Sequence, residues 1–144
     1  MTMQLRFLQA AVAVAALVPI LAGGAGVLRS VAMLEGSGPA AVDLDSHFRY
    51  LSGLLLGIGI AFLCAVPRLG RRDPVFVTLS LVVVAGGLAR LGSLAGAGTP
   101  SDGHLFGLAM ELAVVPALLL WHLRLSSRRA AGDDRAGRMD GGRT

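Results

Sequence analysis

Four long apolar runs alternate with short polar segments along the chain, at residues 7–28, 48–66, 75–95 and 105–123. Each is close to the roughly 20 residues needed to cross a hydrocarbon core of about 30 Å. Inside lipid every backbone N–H and C=O needs an internal partner, so the runs predict helices. They are aliphatic, rich in Ala and Gly, and show no strand-like alternation, which argues against a transmembrane β-barrel. The expected fold is all-α: a transmembrane four-helix bundle made of two helical hairpins. Residues 1–125 form a four-span membrane domain in this reading. Residues 126–144, made of Ser, Ala, Gly, Asp and Arg with one Met and one Thr and without apolar periodicity, form a disordered basic tail.

The first run has a second reading. Residues 1–6 followed by an apolar stretch and the small residues Ala22, Gly23, Gly24 and Ala25 resemble a secretory signal. The run exceeds the usual apolar core of a signal, about 7–15 residues, so a retained span is expected.

Composition agrees with lipid as the solvent. Hydrophobic residues make up 54% and charged residues 15% of 144, with a mean hydropathy of +0.70. A soluble domain carries charge on about a quarter of its residues. The net charge of +4 and a pI near 11.0 suggest nucleic acid at first. All 13 basic residues are arginine, however, and most flank the apolar runs instead of forming a basic face, so no nucleic-acid partner is expected. Arg6, then Arg68, Arg71 and Arg72, then Arg124, Arg128, Arg129, Arg135, Arg138 and Arg143 share one side of a four-span topology. The opposite side has Arg29 alone in its loops. Positive loops stay cytoplasmic, so both termini are expected in the cytoplasm of a multi-pass protein of the cell inner (plasma) membrane. The 29–47 loop, with Glu35, Gly36, Gly38, Pro39, Asp43 and Asp45, exceeds the common two-to-eight-residue helix connection.

Three charges interrupt the spans, and charges in spans are costly enough to suggest function. Arg49 opens span two, Arg90 lies near the end of span three, and Glu111 lies near the start of span four. At 1.5 Å rise per residue, Arg90 and Glu111 lie about 8 and 9 Å inside their spans, at one depth on the outer side. An Arg90–Glu111 pair is expected, with Arg49 beside it and Asp45 or Asp43 balancing the second arginine. Gly86, Arg90 and Ser93 share one helix face; His104, Gly107 and Glu111 share another. Gly53 and Gly57 form a G-x-x-x-G expected to permit close helix approach. Pro116 and Pro19 each remove a donor and predict kinks.

His47 and His104 lie at the outer surface near the cluster, with Tyr50 in the same interfacial belt. His122 beside Trp121 reads as an interfacial anchor at the opposite end. Cys64 alone permits no intrachain disulfide and no cysteine metal site. The chain carries no phosphate loop, no H-E-x-x-H, no G-x-S-x-G and no paired C-x-x-C. No cofactor and no metal is expected.

Two blocks, His47-Phe48-Arg49-Tyr50-Leu51-Ser52-Gly53 with Leu56-Gly57-Ile58-Gly59, and Gly86-Gly87-Leu88-Ala89-Arg90-Leu91-Gly92-Ser93, accompany Gly98-Thr99-Pro100, Glu111-Leu112 and Pro116. Together they resemble a bacterial family of four-span integral membrane proteins known as a domain of unknown function, and more distantly DoxX-like four-span proteins. The resemblance covers spans one to four and excludes the tail. It implies the fold and the inner membrane and carries no activity.

The candidate ligand-binding residues are Arg49, Arg90, Glu111, Asp45, His47 and His104, lining an outer-side cavity for an amphipathic or anionic small molecule. Guanidinium forks match carboxylate and phosphate. The alternative is a structural or partner subunit, as a homo-oligomer or with another membrane protein, whose Arg–Glu cluster only orders the bundle. An intramembrane lipid-modifying enzyme with Glu111 as acid or base ranks last, because a neighbouring arginine keeps a carboxylate ionised and no catalytic partner stands out. No residue is assigned as catalytic. The lipid bilayer is the one partner every reading shares.

Overall fold

The computed structural model describes residues 3–33, 41–71 and 73–140, with side chains described as far as residue 132. Glu35, Gly36, Gly38, Pro39 and Arg72 lie outside the described residues. Four helices account for nearly all of the rest, and no strand occurs among the described residues. They are α1 (Met3–Arg29), α2 (Val42–Ala65), α3 (Pro74–Ala97) and α4. The fourth is built of three segments: an α-helix Asp102–Ala109, a π-helical turn Met110–Val114 and an α-helix Val115–Asp140. Each of the four is long and apolar enough to cross a membrane. Many large apolar side chains face outward, Leu28 at 81% and Leu21 at 69% exposure among them, as expected where lipid is the solvent.

The chain clusters into two compact units, Val12–Cys64 and Met1–Ala11 together with Ala65–Thr144. The first unit is a hairpin of α1 and α2. Helices in lipid gain nothing from burying apolar surface against one another, so their association rests on close packing at small residues. A Cβ at Gly23 would lie 2.5 Å from the Leu56 nitrogen and 2.7 Å from the Ser52 carbonyl oxygen. A Cβ at Gly59 would lie 3.0 Å from the Ile20 nitrogen and 3.2 Å from the Ala16 oxygen. Gly26 faces the Ser52 side chain. These contacts pair late α1 with early α2, so the helices run antiparallel. The contact face of α2 is Ser52, Leu56 and Gly59, at i, i+4 and i+7. Gly53 and Gly57, expected to form the close face, stand about 100° further round, with nothing within 4 Å of a Cβ at either. α1 remains helical through Pro19. It ends at Ser30, a non-glycine residue with φ 54°, buried, whose hydroxyl donates to the Asp45 carbonyl at 3.4 Å.

In the second unit, α3 begins with Asp73, whose carboxylate accepts from the Val75 nitrogen at 3.0 Å, followed by Pro74 in the first turn. An acidic N-cap and a proline at the first position satisfy or remove donors that a helix start leaves unpaired. Gly98, at φ 100°, ends α3 in a conformation that a side chain would resist. α3 and α4 pack antiparallel: Gly87 sits against Glu111 and Leu112, and Phe76 meets the His122 ring edge-on at 5.0 Å. The tightest core lies at that latter end, where Leu5, Leu8, Leu69, Phe76 and His122 are fully or nearly fully buried. His122 is thus an interior ring, not an interfacial anchor. α4 continues beyond the apolar run to Asp140, where the sequence predicts a disordered tail from residue 126. Arg and Ala dominate residues 124–131, both are strong helix formers, and no proline intervenes. Residues 141–144 lie outside the described residues.

Replacing Gly23 with valine should force α1 and α2 apart and cost about 1–3 kcal/mol, an overpacking penalty. Gly57→Ala should stay within about 0.5 kcal/mol of the parent. Denaturant unfolding in detergent measures both. Equal effects at the two positions would refute the assigned interface.

Candidate functional site

α3 and α4 approach closely because Gly87 offers no side chain. A Cβ there would lie 2.9 Å from Glu111 Cβ and 2.8 Å from Leu112 Cδ2. One turn further along α3, Arg90 reaches back across this seam. Its Nε stands 3.4 Å from Glu111 Oε2, an ion pair between the helices. The guanidinium lies over Gly107, where a Cβ would meet Nη1 at 3.3 Å. Gly87 therefore sets the helix separation and Gly107 leaves room for the arginine head.

The two partners are unequally placed. The Arg90 side chain is 41% exposed and that of Glu111 15%. Glu111 Oε2 is buried and makes no hydrogen bond within the described residues, so charge alone holds it to Arg90. The π-helical turn carries Glu111. The Val115 N–H bonds to the Met110 carbonyl, five residues back, instead of Glu111's. Pro116 lies directly after. With no N–H it cannot bond to the Leu112 carbonyl, and its ring crowds that turn. The sequence predicts a kink here; the structure has a widened turn, an arrangement often found at functional positions.

Arg90 also lines a partly open cavity of about 90 Å3 together with Ser93, Leu94, Gly98, His104 and Leu108. His104 is held in place: its Nδ1 lies 2.9 Å from the Ser101 hydroxyl, while the Ser101 carbonyl accepts from the His104 and Leu105 nitrogens at 2.9 and 3.1 Å. The cavity thus gathers a guanidinium, a hydroxyl and an imidazole among leucines. Such a set can hold a small anionic group while an attached chain remains in an apolar setting.

The other candidates belong to the α1–α2 unit. Arg49 Nε donates to Asp45 Oδ2 at 2.8 Å, one turn back on α2, and Nη1 donates to the Val27 carbonyl of α1 at 2.6 Å. That carbonyl lies in the last turn of α1, where cations are favoured. His47 lies one turn from neither partner but beside Tyr50, with ring centroids 6.4 Å apart. The structure brings Arg90, Glu111 and His104 together within one unit, and pairs Asp45 with Arg49 within the other. No group of three or more metal-ligating side chains occurs among the described residues. Ser93 entered the sequence reading only as a face neighbour of Arg90, and Gly98, Leu94 and Leu108 carried no signal as lining residues. Gly98 followed by Pro100 marks a helix end, and such an end next to an in-span arginine is the cue that could have located the cavity.

Residues 7–122 match the family described as Domain of unknown function (DUF4345), and the chain belongs to that family. No curated protein and no solved structure matches the chain.

Arg90→Met should destabilise the protein more than the double change Arg90→Met with Glu111→Met, because the single change leaves a buried carboxylate without its counter-charge. The coupling from a double-mutant cycle should fall at about 0.5–3 kcal/mol. Additive effects would show that the two helices do not depend on the pair.

Proposed function

Starting from membership of a family without an assigned activity, we propose that this multi-pass membrane protein binds the acidic end of an amphipathic small molecule at Arg90. The observation that carries this reading is one arginine serving two surroundings. Its Nε is committed to Glu111, and its guanidinium also lines the cavity with Ser93 and His104. A partly open cavity of about 90 Å3 suits a carboxylate or phosphate end group. Leu94 and Leu108 give an attached hydrocarbon chain an apolar exit. Asp45 and Arg49 neutralise each other in this reading.

The reading includes placement in the inner (plasma) membrane with both termini cytoplasmic. The arginines at the start of α1, between α2 and α3, and along the end of α4 support it. The Arg90 cavity then faces the outer side.

A second reading is favoured by the glycine seam. Gly87 and Gly107 fit Glu111 and Arg90 so closely that the pair could serve only to fix the register of α3 on α4, within this chain or in a larger membrane complex.

Titration of the detergent-solubilised protein with dodecyl phosphate or laurate, against dodecanol as the uncharged control, separates the two. The acids should raise the melting temperature and dodecanol should not. Arg90→Gln should weaken acid binding by about tenfold or more, the worth of one charge-assisted contact. Glu111→Gln removes a competing anion and should hold or strengthen binding. If both variants melt lower while the acid-induced rise is unchanged, the register reading stands and the binding reading falls. Topology is checked separately: a cysteine placed at Thr144, in a Cys64→Ala background, should be labelled by a membrane-impermeant thiol reagent only after the cytoplasmic side is opened.

A further inference from the structure

The opposite end of the same unit carries a second charged feature, independent of the Arg90 cavity. Between α2 and α3, residues 66–71 form a hydrogen-bonded turn. Val66–Arg68 forms a 3-10 turn, and the Arg71 N–H bonds back to the Arg68 carbonyl at 3.0 Å. Leu69 at its centre is fully buried. Two helices clamp it from either side. Gln9 Nε2 of α1 donates to the Val66 carbonyl at 3.1 Å, and Arg129 Nη1 of α4 donates to the Gly70 carbonyl at 3.3 Å. The Leu5 side chain closes on Gly70 as well, and a Cβ there would meet it at 3.4 Å and Arg129 at 3.1 Å.

The result is a rigid platform around Gly70 that presents Arg68 and Arg71, both exposed, with Arg6 and Arg128 exposed on the adjoining helix ends. The one acidic side chain described at this end, Asp73, is buried and occupied in capping α3. Four exposed arginines thus outnumber the one carboxylate described beside them. Beside it, an open groove of about 440 Å3 runs along α3 and α4, lined by Asp73, Pro74, Val77, Thr78 and Leu123. Phe7 and Val75, at the membrane-facing edge, are about half exposed.

We propose that the turn around Gly70 is a binding site for an anionic phospholipid, with its phosphodiester on Arg68 and Arg71 and an acyl chain in the groove along α3 and α4. The platform lies at the ends of membrane-length helices, which is the level of the headgroups. Guanidinium forks pair with phosphate oxygens in two-point contacts. The groove beneath is mostly apolar, with Pro74, Val77 and Leu123 available to a hydrocarbon chain beyond Asp73. A platform held by backbone carbonyl contacts has little side-chain freedom left to lose on binding, apart from that of the two arginines.

The test measures lipid retention by native mass spectrometry after exchange into mixed micelles of phosphatidylglycerol and phosphatidylcholine. The wild-type protein should retain phosphatidylglycerol preferentially. Arg68→Gln with Arg71→Gln should lower that retention roughly 25-fold, at about fivefold for each basic residue at a membrane surface. Arg68→Lys with Arg71→Lys should recover most of it. Neutralising Arg135, Arg138 and Arg143 together should change it less than about twofold if the turn is the site. The proposal is overturned if the tail variant loses as much as the turn variant, if the glutamine pair retains the lipid, or if the wild type shows no preference. Displacement by millimolar inorganic phosphate would identify a free-phosphate site and also overturn it. A second measurement needs no variant. Phosphatidylglycerol with a photoreactive acyl chain should label peptides containing residues 74–78 and 123 of the wild-type protein, and labelling confined to other helices would refute the groove.

Discussion

An ionised side chain inside a lipid-facing helix must find its opposite charge within reach, and this requirement organises the chain. Isolated charges in a low-dielectric medium cost several kcal/mol each, and a partner recovers that cost only at short range. The two in-span arginines meet the condition in different ways. Arg49 takes the local route, to Asp45 one turn earlier on its own helix and to a carbonyl at the end of α1. Arg90 takes the long-range route, to Glu111 on another helix. The first needs only helical periodicity. The second requires two helices to arrive at a set separation and register.

Glycine supplies that separation. Lipid gives helices no hydrophobic reason to associate, so contact distance and shape decide which faces meet. Gly23 and Gly59 bring backbones together in one unit, and Gly87 does so in the other. In the second case the close approach also aligns the ion pair. Packing and electrostatics thus share one seam: Gly87 brings Glu111 near, and Gly107 leaves the space that Arg90 fills.

The helices and the Arg90–Glu111 relation are legible in the sequence because both follow from periodic rules, 1.5 Å of rise per residue and matched depth from a span end. Which glycines matter is not legible that way. Gly53 and Gly57 have the familiar spacing, yet the contact face lies one residue earlier on Ser52, Leu56 and Gly59, since spacing says nothing about the direction in which a partner lies. His122 reads as interfacial from its neighbour Trp121, but Phe76 of α3 covers it, a contact between residues 46 positions apart. Asp73 and Pro74 stand before the apolar run that starts at residue 75, and an acid followed by proline there is a helix-start signature: α3 begins at Pro74 with Asp73 as its cap. The helix beyond residue 125 reflects strong local propensity in a stretch whose polarity alone suggests disorder.

The π-helical turn joins these threads. Pro116 removes a donor from the turn that follows Glu111, and the backbone answers by widening over Met110–Val114 instead of breaking. An inserted residue in a helix rotates everything before it relative to everything after it by about 100°, one residue's worth of a turn. Both parts of α4 still meet the same neighbour: Glu111 pairs with Arg90 and His122 packs on Phe76, and both partners belong to α3. Arg90 and Phe76, 14 residues apart, lie near one face of that helix. The turn therefore sets how the two segments of α4 are rotated relative to each other as they follow α3, and Glu111 stands at the change-over.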